Sequence, residues 1–194
     1  MTEPVLHENK TFSNVNYAKK SLDNREFVKC EFINCDFTKS ILSGNSFIDC
    51  TFKQCNFSMV VVIGTGFQDA VFIGCKILGV DFTRCSKFMF SFTFTESVLD
   101  YCTFFGTKLK KTIFTGCSLK EADFSEADLS ASVFDKCDLT NAKFSNTIVE
   151  KADFRTALNF SIDPQFNKMK NSKFTTSGLI GLLDKYGLDI ERDF

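Results

Sequence analysis

An apolar residue recurs at every fifth position from Phe12 to Phe82 without a miss: Phe12, Tyr17, Leu22, Phe27, Phe32, Phe37, Leu42, Phe47, Phe52, Phe57, Val62, Phe67, Phe72, Ile77 and Phe82. After a slip of two residues the beat resumes at Phe94 and runs through Leu99, Phe104, Leu109, Phe114, Leu119, Phe124, Leu129, Phe134, Leu139, Phe144 and Val149 to Phe154. Seventeen of the 25 phenylalanines stand on these two combs, so the repeat, not local propensity, dictates the architecture. Five is neither the helical nor the strand period, and on a straight strand residues i and i+5 point to opposite faces. A corner must therefore fall within every repeat. Two residues before most comb positions stands something small, as at Cys30, Cys35, Cys50, Cys55, Ala70, Cys75, Cys102, Cys117, Ala122, Ala127, Ala142 and Ala152. Two apart on a strand is one face, so the large and the small residue both point inward, while the remaining positions, rich in Asp, Lys, Ser, Thr and Asn, face water or form the turn.

The tokens Ala122-Asp123-Phe124-Ser125, Ala127-Asp128-Leu129-Ser130 and Cys137-Asp138-Leu139-Thr140 resemble the pentapeptide repeat family, whose consensus alternates A-D-L-S-x with C-x-F-x-x. The match runs from roughly residue 10 to residue 158. The resemblance implies an all-β chain, a right-handed quadrilateral β-helix with four repeats per coil. Residues twenty apart would then stack at about 4.8 Å, and roughly seven coils would make a rod about 35 Å long. The expected organisation is a solenoid over residues 1–158 with its slip at 83–93. Residues 159–194 then form a C-terminal loop, a last partial coil and a capping helix of the same domain.

No stretch approaches the eighteen apolar residues of a membrane span, and residues 1–10 carry neither a basic segment nor an apolar run. The expectation is a cytoplasmic protein with no membrane contact. The nine cysteines are odd in number and occupy the small inward position, which predicts buried thiols, not disulfides. No zinc site is expected either, because C-x-x-C pairs are missing. His7, the only histidine, stands in no motif and reads as a surface or capping residue, and Gly64-Thr65-Gly66 lacks the third glycine of a nucleotide fingerprint. The chain is expected to be no enzyme, with no catalytic residue, cofactor or metal.

Charge is distributed unevenly behind a net value of -1. Residues 1–80 balance at eight acids and eight bases, residues 81–120 carry three acids and six bases, and residues 121–153 carry eight acids and three bases, an acidic band of net -5. Such a band on a rod of DNA width can imitate a phosphate backbone in a basic groove. It can equally be structural pairing, since Asp100/Lys120, Lys108/Asp128, Asp123/Lys143 and Asp135/Arg155 stand one coil apart with opposite signs. Within the second comb Glu121, Glu126, Asp138, Glu150 and Asp153 have no such partner and are the candidate partner-binding residues.

Within the slip, Phe88, Phe90, Phe92 and Phe94 alternate as a straight strand would, which a bulge or lengthened side accommodates. The alternative is an exposed aromatic patch rimmed by Lys87. Beyond Asn159 the beat fails through Pro164, and Met169 and Phe174 restore it briefly. A helix follows, capped by Thr176 or Ser177 and ended by Gly187. Its apolar face, Leu179, Ile180, Leu182, Leu183 and Tyr186, closes the rod and is the candidate surface for a homodimer.

The ending from Leu179 to Glu191 looks like that of the quinolone-resistance Qnr and mycobacterial Mfp-type members of the family, in which a Leu-rich helix and a short strand join two rods end to end. As a group these bacterial proteins bind type II DNA topoisomerases as DNA mimics and protect them from quinolones. The resemblance implies DNA gyrase or topoisomerase IV as partner, without direct nucleic-acid binding. The chain departs from Qnr proteins of Gram-negative bacteria in having a two-residue slip where they carry long projecting loops, and in its near-neutral charge. An intracellular interaction scaffold with another partner is the alternative.

Overall fold

The computed structural model describes residues 3–190. The corner demanded by a period of five is a single residue in the left-handed region. Asn14, Lys19, Asn24, Lys29, Asn34 and Lys39, each two places after its comb residue, have φ between 50° and 60°. An L-residue there costs about 1–2 kcal/mol, and Asn and Gly carry that cost most easily. Between corners the chain is extended for only a few residues, so the strands are short; most have three or four residues and the longest, Gly66–Ile73, has eight. Each pairs in parallel with the segment twenty residues on, as in Phe27↔Phe47, Phe32↔Phe52 and Phe114↔Phe134. Single bridges such as Asn16↔Asp36, Ile41↔Val61 and Asp123↔Lys143 keep the same register. The result is a quadrilateral β-helix of about seven coils with a short C-terminal helix.

Its four sides can be numbered in chain order by their inward columns. The first begins at His7, Phe27 and Phe47, the second at Phe12 and Phe32, the third at Tyr17 and Phe37, and the fourth at Leu22 and Leu42. The second column is an unbroken stack of nine phenylalanines, Phe12, Phe32, Phe52, Phe72, Phe94, Phe114, Phe134, Phe154 and Phe174, with ring centroids 4.7–5.4 Å apart. Offset stacks of this kind add about 0.5–1.5 kcal/mol per pair beyond area burial. His7 begins the first column, stacked on Phe27 at 4.9 Å, and so caps a ring ladder.

The small inward position does more than save space. Where it holds a donor, the side chain commonly reaches the carbonyl of a comb residue one coil back: Cys50 Sγ to Phe27 O at 3.4 Å, Cys75 Sγ to Phe52 O at 3.3 Å, Thr65 Oγ1 to Leu42 O at 2.8 Å, Ser132 Oγ to Leu109 O at 2.6 Å and Thr147 Oγ1 to Phe124 O at 2.9 Å, the buried Ser40 hydroxyl being an exception. Cys, Ser and Thr are interchangeable there because each is a small donor. Size alone would not have admitted the polar ones, whose burial needs a partner.

At the slip the chain gains residues outside the wall and returns one to it. The Gly64 N–H donates to Arg84 O, twenty residues on, while the Phe67 N–H donates to Met89 O, twenty-two on. The strand Phe90–Thr95 then runs beside Gly66–Ile73 with a register shift between Phe67 and Ala70, the expected bulge. Phe92 and Phe94 are buried and Phe90 half-buried, so the bulge forms and, of the four rings, Phe88 alone is fully exposed. At the C-terminal end Phe160 and Ile162 are buried, so the stretch that reads as a loop plugs the core. Residues 177–186 are helical, Ser177–Leu179 and Asp184–Tyr186 as 3-10 turns around Ile180–Leu183. Thr176 takes the N-cap position but makes no side-chain cap bond; the Gly178 N–H donates instead to Thr175 Oγ1 at 3.1 Å. Gly187, at φ 57°, ends the helix as expected. Residues 187–190 form no strand, and Glu191 lies outside the described residues.

Candidate functional site

The aspartates of the A-D-L-S tokens are built into the coil. In each, one carboxylate oxygen accepts from the residue two places on: Asp128 Oδ1 from the Ser130 N–H at 3.1 Å and Oγ at 2.5 Å, and Asp138 Oδ1 from the Thr140 N–H at 3.1 Å and Oγ1 at 2.6 Å. This Asx turn leads the wall into the corner that follows, at Ala131 and Asn141. It also turns the second oxygen away from the neighbour directly in register and towards the diagonal one.

Two ion pairs follow that geometry and correct the pairing expected from a twenty-residue offset, whereas Asp153 pairs locally with Arg155 and in register with Lys173. Lys108 and Asp123 are in register with Asp128 and Lys143, but the pairs formed are Lys110–Asp128 at 3.1 Å, Lys120–Asp138 at 3.2 Å and Arg155–Asp153 at 2.6 Å. Lys173 adds a 4.0 Å contact to Asp153. Asp138 and Asp153 were expected to be free of partners and are not. Burial works against the charge of Asp138, but the Thr140 hydroxyl, Asn159, the Thr140 N–H and Lys120 outweigh it and hold the carboxyl at about 2. Arg155 above all holds the Asp153 carboxyl below its ordinary range.

Of the five candidates this leaves the three glutamates. Glu121 accepts a hydrogen bond from Asn141 Nδ2 at 2.8 Å, and neither Glu126 nor Glu150 is ion-paired among the described residues. Glu121 and Glu126 are corner residues, with φ 57° and 60°, at the two edges of the fourth side. Glu150 follows Val149 on the first side, Asp138 is bridged to Ser118 on the third and Asp153 to Val133 on the second. One coil and a half thus carries all five, but they point around the whole perimeter, and only Glu121 and Glu126 flank a common side.

The nine cysteines are free and buried. Burial pushes the thiols of Cys50, Cys85 and Cys102 up to about 12, far from a nucleophilic thiolate at neutral pH. Burial, then Lys10 and Arg25, lowers the pKa of His7, whose Nε2 lies 3.1 Å from Arg25 Nη1. Among the described residues no cluster of His, Cys, Asp and Glu could hold a metal, and no helix is long and apolar enough to cross a membrane.

The C-terminal helix divides its apolar residues. Leu182 packs on the core and Ile180 is half-buried, whereas Leu179, Leu183 and Tyr186 are exposed, the last with the Lys185 ammonium 4.7 Å from its ring centroid. The five dimerisation candidates therefore split between closing the rod and facing outward. Leu188 and Ile190 extend the outward set.

Comparison with known proteins accords with this architecture. The chain is similar over 97% of its length to all of a trypsin-treated form of QnrB1, a plasmid-mediated fluoroquinolone resistance protein, at 18% identity and a TM-score of 0.61. It is similar over 88% of its length to 85% of HetL, a pentapeptide repeat protein involved in heterocyst differentiation regulation in the cyanobacterium Nostoc sp. strain PCC 7120, at 12% identity and a TM-score of 0.66. No curated protein sequence matches significantly. Residues 25–104 match the model of a pentapeptide repeat region and residues 117–155 that of pentapeptide repeats in eight copies, and the chain belongs to the pentapeptide repeat family.

Proposed function

We propose that this chain is a non-catalytic protein-binding rod that acts on a type II DNA topoisomerase, gyrase or topoisomerase IV, as a DNA mimic. The observation that carries the reading is the acidic band at residues 121–153, in which Glu121, Glu126 and Glu150 are not ion-paired among the described residues while the aspartates are consumed by the coil. Similarity in fold to QnrB1 supports the same direction. A supercoiling assay with and without a quinolone tests it. The wild-type rod inhibits or protects the enzyme, the effect falls steeply as salt is raised, and Glu121→Gln/Glu126→Gln/Glu150→Gln abolishes it. Glu126 is exposed and Glu121 and Glu150 are half-buried, and the amide in each replacement keeps the side chain's size and a hydrogen-bonding oxygen, so each substitution changes stability by about 0.5 kcal/mol. Asp138 and Asp153 stay unchanged in that variant because they hold the fold.

A second reading, an interaction scaffold for another partner, is favoured by the ion pairing of Asp128, Asp138 and Asp153 and by the net charge of -1. It predicts no effect on any topoisomerase at any concentration. Under either reading the rod is a homodimer joined through Leu179, Leu183 and Tyr186. Sedimentation of the full chain as a monomer at micromolar concentration removes the dimer.

A further inference from the structure

The outward loop Ser86–Met89 leaves a gap above it. The Gly44, Gly64 and Gly106 N–H groups on this corner each donate to a carbonyl of the following coil, and between the loop and the next corner, Phe105 to Lys108, lies an open space that both line. The gap is a cleft of about 680 Å³ with Phe82, Cys85, Phe90 and Phe105 in its walls. Phe88 is wholly exposed at its mouth, and Phe105 is 46% exposed. A single large apolar group fits such a volume, since ligand pockets run from about 300 to 1,000 Å³.

The mouth is cationic. Lys87 and Lys108 line it, and neither is ion-paired among the described residues, unlike Lys110 and Lys120 nearby. Residues 81–120 carry six bases against three acids, the reverse of the band that follows. The cleft also opens beside the outer surface of the fourth side, where Ile41, Val61 and Ile63 are exposed and charge is sparse. Aromatic anchoring in a cleft, ringed by complementary charge, is the pattern of an interaction hot spot.

We infer that this cleft receives an acidic segment of a partner protein, one apolar or aromatic side chain of which enters between Phe88 and Phe105 while flanking carboxylates meet Lys87 and Lys108. The inference rests on the rod being a protein-binding module, but not on the topoisomerase reading, which uses the glutamates of a different coil and the opposite charge.

The test is a titration of the isotope-labelled full chain, followed by amide NMR shifts, with a short blocked peptide of Glu, Asp, Gly and Ser bearing one central Phe. Saturable shifts confined to residues 82–90 and 105–108 are expected. Replacing the central Phe of the probe by Ala, or introducing Lys87→Glu/Lys108→Glu in the chain, weakens binding by about tenfold or more. Phe88→Ser, at a fully exposed position that leaves the fold intact, does the same. Equal binding of the Ala probe reduces the site to general charge attraction and overturns the proposal, as does any shift pattern centred elsewhere. Concentration-dependent shifts at the cleft in the chain alone would make a second copy the occupant and overturn it likewise. Phe88→Ser leaves any effect on gyrase unchanged, so a rod inert towards topoisomerases that still binds the probe loses only the glutamate site.

Discussion

At the scale of the residue, each pentapeptide combines four tasks: a large core side chain, a small inward one that in many repeats is a donor, a left-handed corner and an outward polar group. The first was legible from its unbroken period. The inward small residue was legible as a position but not as a hydrogen-bond donor, although the presence of Thr65, Ser132 and Thr147 where Cys stands elsewhere was the signal. The corner suggests a direct test. Ala131 adopts φ 60° with neither the amide of Asn nor the freedom of Gly. Ala131→Gly removes a cost of about 1–2 kcal/mol and adds some unfolded-chain entropy, for a net gain of about 0.5–1 kcal/mol in chemical denaturation. Asp138 supplies a pH dependence. Its folded pKa of about 2 lies below the ordinary 3.8, so the charged form belongs to the fold, and its stabilisation is complete above 3.8 and lost as pH falls towards 2. Allowing for solvent screening, the loss is about 1–2 kcal/mol. Asp138→Asn should flatten that part of the stability profile, and an unchanged acid limb would deny the turn its role.

At the scale of the element, the walls were predictable and the ends were not. A strand of three residues beside one of identical pattern twenty places on has a single register that keeps large side chains inside. The C-terminal closure has no such template. Phe160 and Ile162 enter the core from a stretch that breaks the beat, and the helix lies on them through Gly181, whose carbonyl accepts from the Ile162 N–H at 2.9 Å. A Cβ at Gly181 would collide with the Phe160 carbonyl oxygen and lie 2.7 Å from its ring. Gly181→Ala should therefore lift the helix at a cost of about 1–3 kcal/mol. Hydrogen exchange would show lost protection at residues 177–186 with the central coils unaffected. Uniform loss along the rod would mean that the helix is part of the cooperative core. The diagonal ion pairs belong to this scale too: an offset of twenty predicted which residues are neighbours, but the Asx turn chose which neighbour each carboxylate meets.

At the scale of the whole molecule, each coil is supported only by the coils on either side, so damage at the centre divides the rod. Phe124 is fully buried and stacks on Phe104 at 5.2 Å and Phe144 at 5.4 Å. Phe124→Ala should cost about 3–5 kcal/mol, read as a lower denaturation midpoint; an unchanged midpoint would contradict its burial. The architecture followed from the sequence because a period of five over twenty-eight apolar positions admits few ways to bury them all while pairing every strand, and each repeat restates the same local instruction. The arrangement of outward groups did not follow. Five acids that are close in the chain end on all four sides, since each corner turns the chain away from its last direction. The exposed Phe88 and the cleft it borders arise where the period is broken, and there only the packing of neighbouring coils settles which of several aromatic residues goes inside.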